Sequence, residues 1–151
     1  MAKKSPPVLN KTGVDLPPWG KASKTARWAR IMTRWLISHS GEASVKWRLV
    51  EFGGITGTES QGIVDMLAIR KNHKEMEDVK RGDLFDIVLI QVKGGLAARP
   101  SESDIERLHT VAKYYHAKAV VLAEWKIKEK LNVYRLDGLA WTLVKPAAIF
   151  G

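Results

Sequence analysis

The stretch DIVLIQVKGG, residues 86–95, decides the fold and also contains two residues that the fold alone does not require. Its four consecutive apolar residues, 87–90, are typical of a strand that is buried on both faces. Gln91 and Lys93 follow on one face of the same strand, because side chains alternate along a β-strand. A desolvated ammonium costs several kcal/mol unless a partner pairs with it. Gln91 and Lys93 therefore indicate a functional site at the end of this strand.

The segments on both sides of this strand predict a single α/β domain. Upstream, an amphipathic helix is predicted from Ser23. Downstream, Ser101 is predicted to cap a second helix that ends near His116, with Asp104 completing a variant of the capping box. The last core strand, a continuous apolar run, is predicted to be parallel to the strand of Gln91 and to be reached by a right-handed crossover. The predicted strands are 45–52, 63–70, 84–93 and 118–125, with edge strands at 132–138 and 140–144.

The first predicted helix carries apolar side chains at i, i+3, i+4, i+7 and i+8, a spacing that places them on one face. The members of this stripe are Trp28, Ile31, Met32, Trp35 and Leu36. We expect the stripe, including both tryptophans, to pack in the core. Trp19, which lies beside the basic N-terminal segment, is the better candidate for stacking on a nucleic-acid base.

The chain is basic, and its positive charge is concentrated near the N-terminus. The 25 Lys and Arg outnumber 16 Asp and Glu, which gives +9, and residues 1–40 hold eight of the cations but only one acid. Such a surplus is typical of proteins that bind a polyanion. We expect residues 1–20 to form a flexible basic arm and residues 21–151 to form one domain. The cations predicted to contact DNA phosphates are Lys21, Lys24, Arg27, Arg30 and Arg34.

The composition also excludes some classes of protein. The chain contains no Cys, which excludes disulfides and zinc sites built on thiolates. No apolar run approaches membrane-spanning length, and MAKKSPPVLN at the N-terminus lacks the apolar region of a signal peptide. We therefore expect a cytoplasmic protein with no membrane partner.

Asp65 is a second unexpected polar residue, because it lies inside the apolar segment GIVDMLAIR, residues 62–70. This segment is predicted to pair with the strand of Gln91, and a buried carboxylate needs a partner. Lys93 is one candidate, and a metal ion is another. Mg²⁺ takes oxygen ligands and is often bound by only one or two carboxylates plus substrate phosphates. Asp65, the amide oxygen of Gln91 and the main-chain carbonyl of Val92 can supply part of such a shell.

GIVD (62–65) and QVK (91–93), on the second and third predicted strands, resemble the PD-(D/E)XK nuclease superfamily. The resemblance covers roughly residues 22–125 and implies the restriction-endonuclease-like fold, an αβββαβ core whose mixed sheet is flanked by helices. It further implies a metal-dependent endonuclease that uses Mg²⁺ or Mn²⁺ to hydrolyse phosphodiester bonds in DNA. By position, Asp65 corresponds to the metal-binding Asp and Lys93 to the catalytic Lys. Gln91 replaces the usual acidic residue, as in the QXK variant of Mrr-type restriction enzymes.

Many members of this superfamily contribute a further acid from an earlier element, and three residues here are candidates. They are Glu42, Glu51 and Glu59, of which Glu51 is preferred because it lies on a neighbouring strand. Small members include Holliday junction resolvases and repair or phage endonucleases, which are often homodimers. The resemblance does not choose among these, but because no extra specificity domain is evident in the sequence, we expect structure-selective or weakly sequence-selective cleavage rather than a sequence-reading restriction enzyme, with RNA still open as a substrate.

Two other interpretations stay open on the sequence. Gln91 in place of an acid is compatible with a basic protein that binds nucleic acid without cutting it. The basic arm is also compatible with a module that binds an acidic protein. Only the nuclease hypothesis predicts that Lys93→Ala abolishes turnover while salt-dependent binding persists.

Overall fold

The computed structural model describes residues 18–41, 46–52, 63–74, 77–80 and 83–151, with side chains of the first helix described from Lys24 onward. These residues form an α/β structure with three helices and a six-stranded mixed sheet. The elements, in chain order, are α1 (Pro18–Ser40), β1 (Arg48–Glu51), β2 (Met66–Asn72), β3 (Leu84–Gly94), α2 (Glu102–Tyr114), β4 (Ala119–Trp125), β5 (Asn132–Asp137), β6 (Ala140–Val144) and α3 (Pro146–Phe150). No helix in these ranges has both the length and the apolarity needed to cross a membrane.

The strands lie side by side in the order in which they occur along the chain. Every neighbouring pair is antiparallel except β3 and β4, which are parallel and are connected through α2. The predicted pairing of β2 with β3 and the predicted parallel pairing across α2 are therefore confirmed. Ser101 caps α2 through a complete capping box, since its Oγ accepts from the Asp104 N–H at 3.2 Å and the Asp104 carboxylate accepts from the Ser101 N–H at 3.2 Å.

The sheet separates two hydrophobic clusters. Alternate residues of β3 contribute to opposite faces: Val88 and Ile90 pack with residues of α1 and α3, whereas Leu89 packs with residues of α2. Gln91 follows two residues after Leu89 and therefore lies on the α2 face. The position of Gln91 and Lys93 on one face of a buried central strand agrees with the sequence pattern.

The α1 helix differs from the prediction in its start and in its buried face. It begins at Pro18, five residues before Ser23, and proline is favoured at a first helical position because its missing N–H needs no partner there. Residues 18–20, assigned above to the basic arm, therefore belong to α1. The rest of the arm, residues 1–17, and the side chains of Trp19 and Lys21 lie outside what the structure describes.

The prediction that Trp28 and Trp35 pack in the core is wrong. These side chains are 44% and 57% exposed, and the buried positions of α1 are instead Thr25, Ala29, Thr33 and Ile37. The reason is the close approach of α1 to β3. A Cβ added to Gly94 would lie 2.8 Å from the main-chain oxygen of Thr25, a gap that only small residues tolerate.

The α3 helix was not predicted, although it completes the core on the α1 face. Phe150 is 1% exposed and packs edge-on against Trp47, with ring centroids 5.6 Å apart. The Trp47 indole N–H also donates to the Phe150 carbonyl at 2.9 Å, so this buried tryptophan has a partner for its polar atom.

Candidate functional site

A cleft of about 750 Å³ lies where the end of β3 meets α1. Its charged lining comes from Arg30 on α1, Asp65 before β2, and Lys93 on β3, and residues 94–97 also line it. Two of the residues predicted to carry chemistry, Asp65 and Lys93, therefore face one cavity. Lys93 reaches it from β3, as predicted, whereas Asp65, which was predicted to lie inside the second strand, lies one residue before β2.

Asp65 is held in place by main-chain bonds to both neighbouring strands. Its N–H donates to the Ile90 carbonyl at 3.0 Å, and its carbonyl accepts from the Phe52 N–H at 2.8 Å. Its carboxylate accepts from the Val92 N–H at 2.6 Å and lies 3.5 Å from the Arg30 guanidinium. The backbone thus fixes both the position and the direction of this carboxylate.

Burial raises the pKa of Asp65 above its usual value, because desolvation disfavours the ionised form. The Val92 N–H, Arg30 and Lys93 act in the opposite direction, and their combined effect is smaller than that of burial. Any additional cation that approaches this buried carboxylate therefore stabilises its ionised form. Asp65 is therefore suited to bind a positively charged ligand.

Gln91 is buried, with 3% of its surface exposed, and its amide oxygen accepts no hydrogen bond from any residue that the structure describes. A buried acceptor without a partner costs about 1–3 kcal/mol. Gln91 is not among the described residues that line the cleft, although it lies only two residues from Lys93. Its unpaired oxygen is the feature of this region that a purely structural role explains least.

Lys93 lines the cleft and makes no ion pair within the described residues. In the parallel register it lies opposite Glu124 on β4, so the two side chains share the α2 face of the sheet. The Glu124 carboxylate instead accepts from Arg99 at 3.2 Å. The sequence analysis missed Glu124, although an acid inside the apolar run 118–125 is the same kind of signal that drew attention to Asp65.

The further acids predicted for the site do not line the cleft in the part of the chain described here. Glu51 lies on β1 opposite Met66, and its carboxylate is 3.4 Å from the Arg34 guanidinium. Glu42 and Glu59 lie outside the described residues. Asp65 is thus the carboxylate that the structure places in the cleft.

The predicted basic row of α1 divides into two groups. Arg30 and Arg34 pair with Asp65 and Glu51 while 38% and 58% of their side chains stay exposed. Lys24 and Arg27 are exposed on the same helix. Two of the arginines assigned to DNA phosphates therefore also pair with acids: Arg30 with Asp65 in the cleft, and Arg34 with Glu51 outside it.

The donor set can be compared with the needs of a metal ion. Within the described ranges, no three His, Cys, Asp or Glu side chains cluster in a way that could hold a metal. The predicted ligands include only one carboxylate, together with the Gln91 amide oxygen and the Val92 carbonyl, and such hard oxygen donors suit Mg²⁺ or Mn²⁺. No family model, curated protein or solved structure matches this chain.

Proposed function

We propose that this chain is a metal-dependent nuclease of the PD-(D/E)XK superfamily, with the restriction-endonuclease-like fold, and that it hydrolyses phosphodiester bonds in DNA. The observation that carries the proposal is the meeting of Asp65 and Lys93 in one cleft, with the buried and unpaired amide oxygen of Gln91 two residues before Lys93. The element order αβββαβ from α1 to β4, with its parallel β3 and β4, supports the same conclusion.

Asp65, the Gln91 amide oxygen and the Val92 carbonyl would hold Mg²⁺ or Mn²⁺. When bound, the ion would supply positive charge to the phosphate and lower the pKa of water. The residues present fit this role. The buried Gln91 amide oxygen has no hydrogen-bond partner among the described residues, and burial raises the pKa of Asp65, so a bound cation would stabilise its ionised form. Arg30, now 3.5 Å from that carboxylate, would share it with the ion or move away.

Lys93 would act on the phosphate itself. Hydrolysis adds a water oxygen to phosphorus and breaks one bond from phosphorus to a sugar oxygen, and negative charge grows on the phosphoryl oxygens in between. An ammonium group in the cleft, with no ion-pair partner among the described residues, is free to neutralise that charge. The exposed Lys24 and Arg27 would contact flanking phosphates, which fixes the position of the DNA without reading its sequence.

The test is cleavage of linear, branched and single-stranded DNA, and of RNA, with Mg²⁺ or Mn²⁺ and with EDTA. We expect cleavage that requires metal, is lost in Asp65→Ala, and falls by about 100-fold or more in Lys93→Ala. Lys113→Ala, which removes an exposed cation from α2, is the matched control and should cleave at the wild-type rate. We propose that cleavage is structure-selective or weakly sequence-selective. We also propose that the enzyme is a homodimer.

Binding without cleavage is the second candidate function. It is favoured by the uncharged Gln91, which leaves Asp65 as the carboxylate of the cleft, and by the existing pair of Asp65 with Arg30. Salt-dependent binding with no cleavage in either metal, or full cleavage by Lys93→Ala, would reject the proposed mechanism. The first of these results would establish the binding function in its place.

A further inference from the structure

One side of α1 exposes a row of large apolar side chains. Trp28, Ile31 and Trp35 follow at i, i+3 and i+7, and all three are exposed although α1 packs on the sheet through its opposite side. Exposed apolar groups that are contiguous in this way mark binding surfaces more often than single exposed residues do. This row, Trp28, Ile31 and Trp35, is called the tryptophan row below.

The charge around the tryptophan row selects the kind of partner. Residues 18–40 contain no Asp or Glu, and Lys24 and Arg27 are exposed beside the row, as is Arg34, which pairs with Glu51 of β1. A second copy of this chain, packed through the same face, would bring these cations against their own equivalents, and like charges in an interface are unfavourable. A polyanion with flat apolar groups satisfies both the cations and the rings.

We infer that the tryptophan row binds single-stranded nucleic acid, with bases stacked on Trp28 and Trp35 and phosphates paired with the neighbouring cations. Aromatic rings beside a basic surface are the usual means by which proteins bind single strands. In a duplex the bases are already stacked inside, so unpaired strands are favoured over paired ones. If the proposed nuclease function is correct, this single strand is the unpaired part of the DNA substrate, and to that extent the inference rests on the proposed function.

The spacing of the rings fits a strand. Trp28 and Trp35 are two turns apart, which is about 10 Å along the helix axis. Nucleotides in a stacked strand are about 3.4 Å apart, so the two rings would contact bases about three nucleotides apart. His39 stacks on one face of the Trp35 ring, with centroids 4.5 Å apart, and 57% of the Trp35 residue is still exposed.

The path from the tryptophan row to the cleft is basic. At 3.6 residues per turn, Arg30 comes first around α1 from its buried side and reaches the cleft through its pair with Asp65. Arg34 and Arg27 come next, and Trp35 and Trp28 follow farther round. A strand stacked on the tryptophans can therefore cross Arg27 and Arg34 to reach Arg30, which lines the cleft.

The test is fluorescence anisotropy of labelled oligo(dT), oligo(rU) and a duplex of the same length, in EDTA so that no cleavage can occur. We expect Trp28→Ala and Trp35→Ala each to weaken binding of the single strands by about 5-fold or more. Binding of the duplex should change by less than about 2-fold. Trp35→Phe keeps an aromatic ring and should bind nearly as wild type. Tyr114→Ala, which removes an aromatic side chain that is 78% exposed on α2, is the matched control and should have no effect.

Several outcomes would overturn the inference. They are no loss of binding in the tryptophan variants, an equal loss in Tyr114→Ala, or an equal loss on the duplex. A wild-type dimer that becomes a monomer in Trp35→Ala, measured by sedimentation, would assign the row to a second copy instead. The two proposals can fail independently, because binding is measured without metal. If Lys93→Ala cleaves at the wild-type rate, the nuclease mechanism is rejected but a loss of single-strand binding in the tryptophan variants still supports the inference. If the tryptophan variants bind as wild type, the inference is rejected but the cleavage test still stands.

Discussion

Gly94→Ala tests how closely α1 is held against the end of β3, the contact that brings Arg30 to Asp65. A Cβ at position 94 would lie 2.8 Å from the Thr25 oxygen, 3.0 Å from the Thr25 carbonyl carbon and 3.2 Å from the Ala26 nitrogen. All three are main-chain atoms, so no side chain can rotate to relieve the contact. The helix itself would have to move.

The expected size of the effect follows from two opposing contributions. Overpacking a tight contact costs about 1–3 kcal/mol. Replacing Gly by Ala also restricts the unfolded chain, which returns about 0.4–1 kcal/mol. We therefore expect Gly94→Ala to lower the free energy of unfolding by about 1–2 kcal/mol, which for a chain of this size lowers Tm by about 5 °C. If the proposed function is correct, DNA cleavage should fall as well, because Gly94 and α1 form part of the wall of the cleft that Asp65 and Lys93 line.

Urea and thermal unfolding of the variant measure this effect, and its sign decides the matter. Without the close contact, only the restriction of the unfolded chain would remain, and Gly94→Ala would be more stable than wild type. Gly138→Ala is the control, because Gly138 has φ +62° but no atom within 4 Å of an added Cβ. The free energy of unfolding of Gly138→Ala should fall by about 1 kcal/mol, because a Cβ is unfavourable in the left-handed backbone region. Its cleavage activity should be unchanged. If Gly94→Ala unfolds at the same or a higher urea concentration and temperature than wild type, the packing of α1 described above is refuted.

Two further predictions concern a charge and a helix cap. Because burial raises the pKa of Asp65, its ionised form destabilises the fold at neutral pH, and this cost disappears as pH falls through the folded-state pKa. Asp65→Asn should therefore raise Tm at pH 7 and lose this advantage at acidic pH; a lower Tm at pH 7 would contradict this. Ser101→Ala removes the acceptor of the Asp104 N–H and should cost about 1 kcal/mol in urea unfolding. The exposed Ser103→Ala should change stability by less than about 0.5 kcal/mol, and equal losses in both variants would argue against the cap.

The sequence predicted those elements whose signals are local. The apolar run of β3 and the capping box at Ser101 lie within a few residues, and each appears where it was expected. The parallel pairing of β3 and β4 followed from the helix between them, since such a connection needs a crossover. Asp65 and Lys93 line one cleft because Asp65 directly precedes β2, which pairs with the β3 strand of Lys93.

The misses depend on contacts between distant segments. Periodicity favoured the large residues of α1 as its buried face, but the helix packs through Thr25 and Ala29 because its backbone comes close to that of β3 at Gly94. Once the rotation of α1 was wrong, the pairing of Arg30 with Asp65 could not be foreseen. The five-residue α3 is too short to produce a periodic pattern, so nothing in the sequence marked it as part of the core.

The contact between Trp47 and Phe150 joins residues 103 positions apart. This separation affects when the hydrophobic cluster on each face of the sheet can be completed during synthesis. Ribosomes add about 5–20 residues per second, so Trp47 waits roughly 5–20 s for its partner to be made. The buried residues of the α2 face end at Leu136 and are complete earlier. The α1 face of the sheet therefore stays incompletely covered until α3 has been made, and the nascent chain presents an uncovered apolar surface to chaperones for that interval.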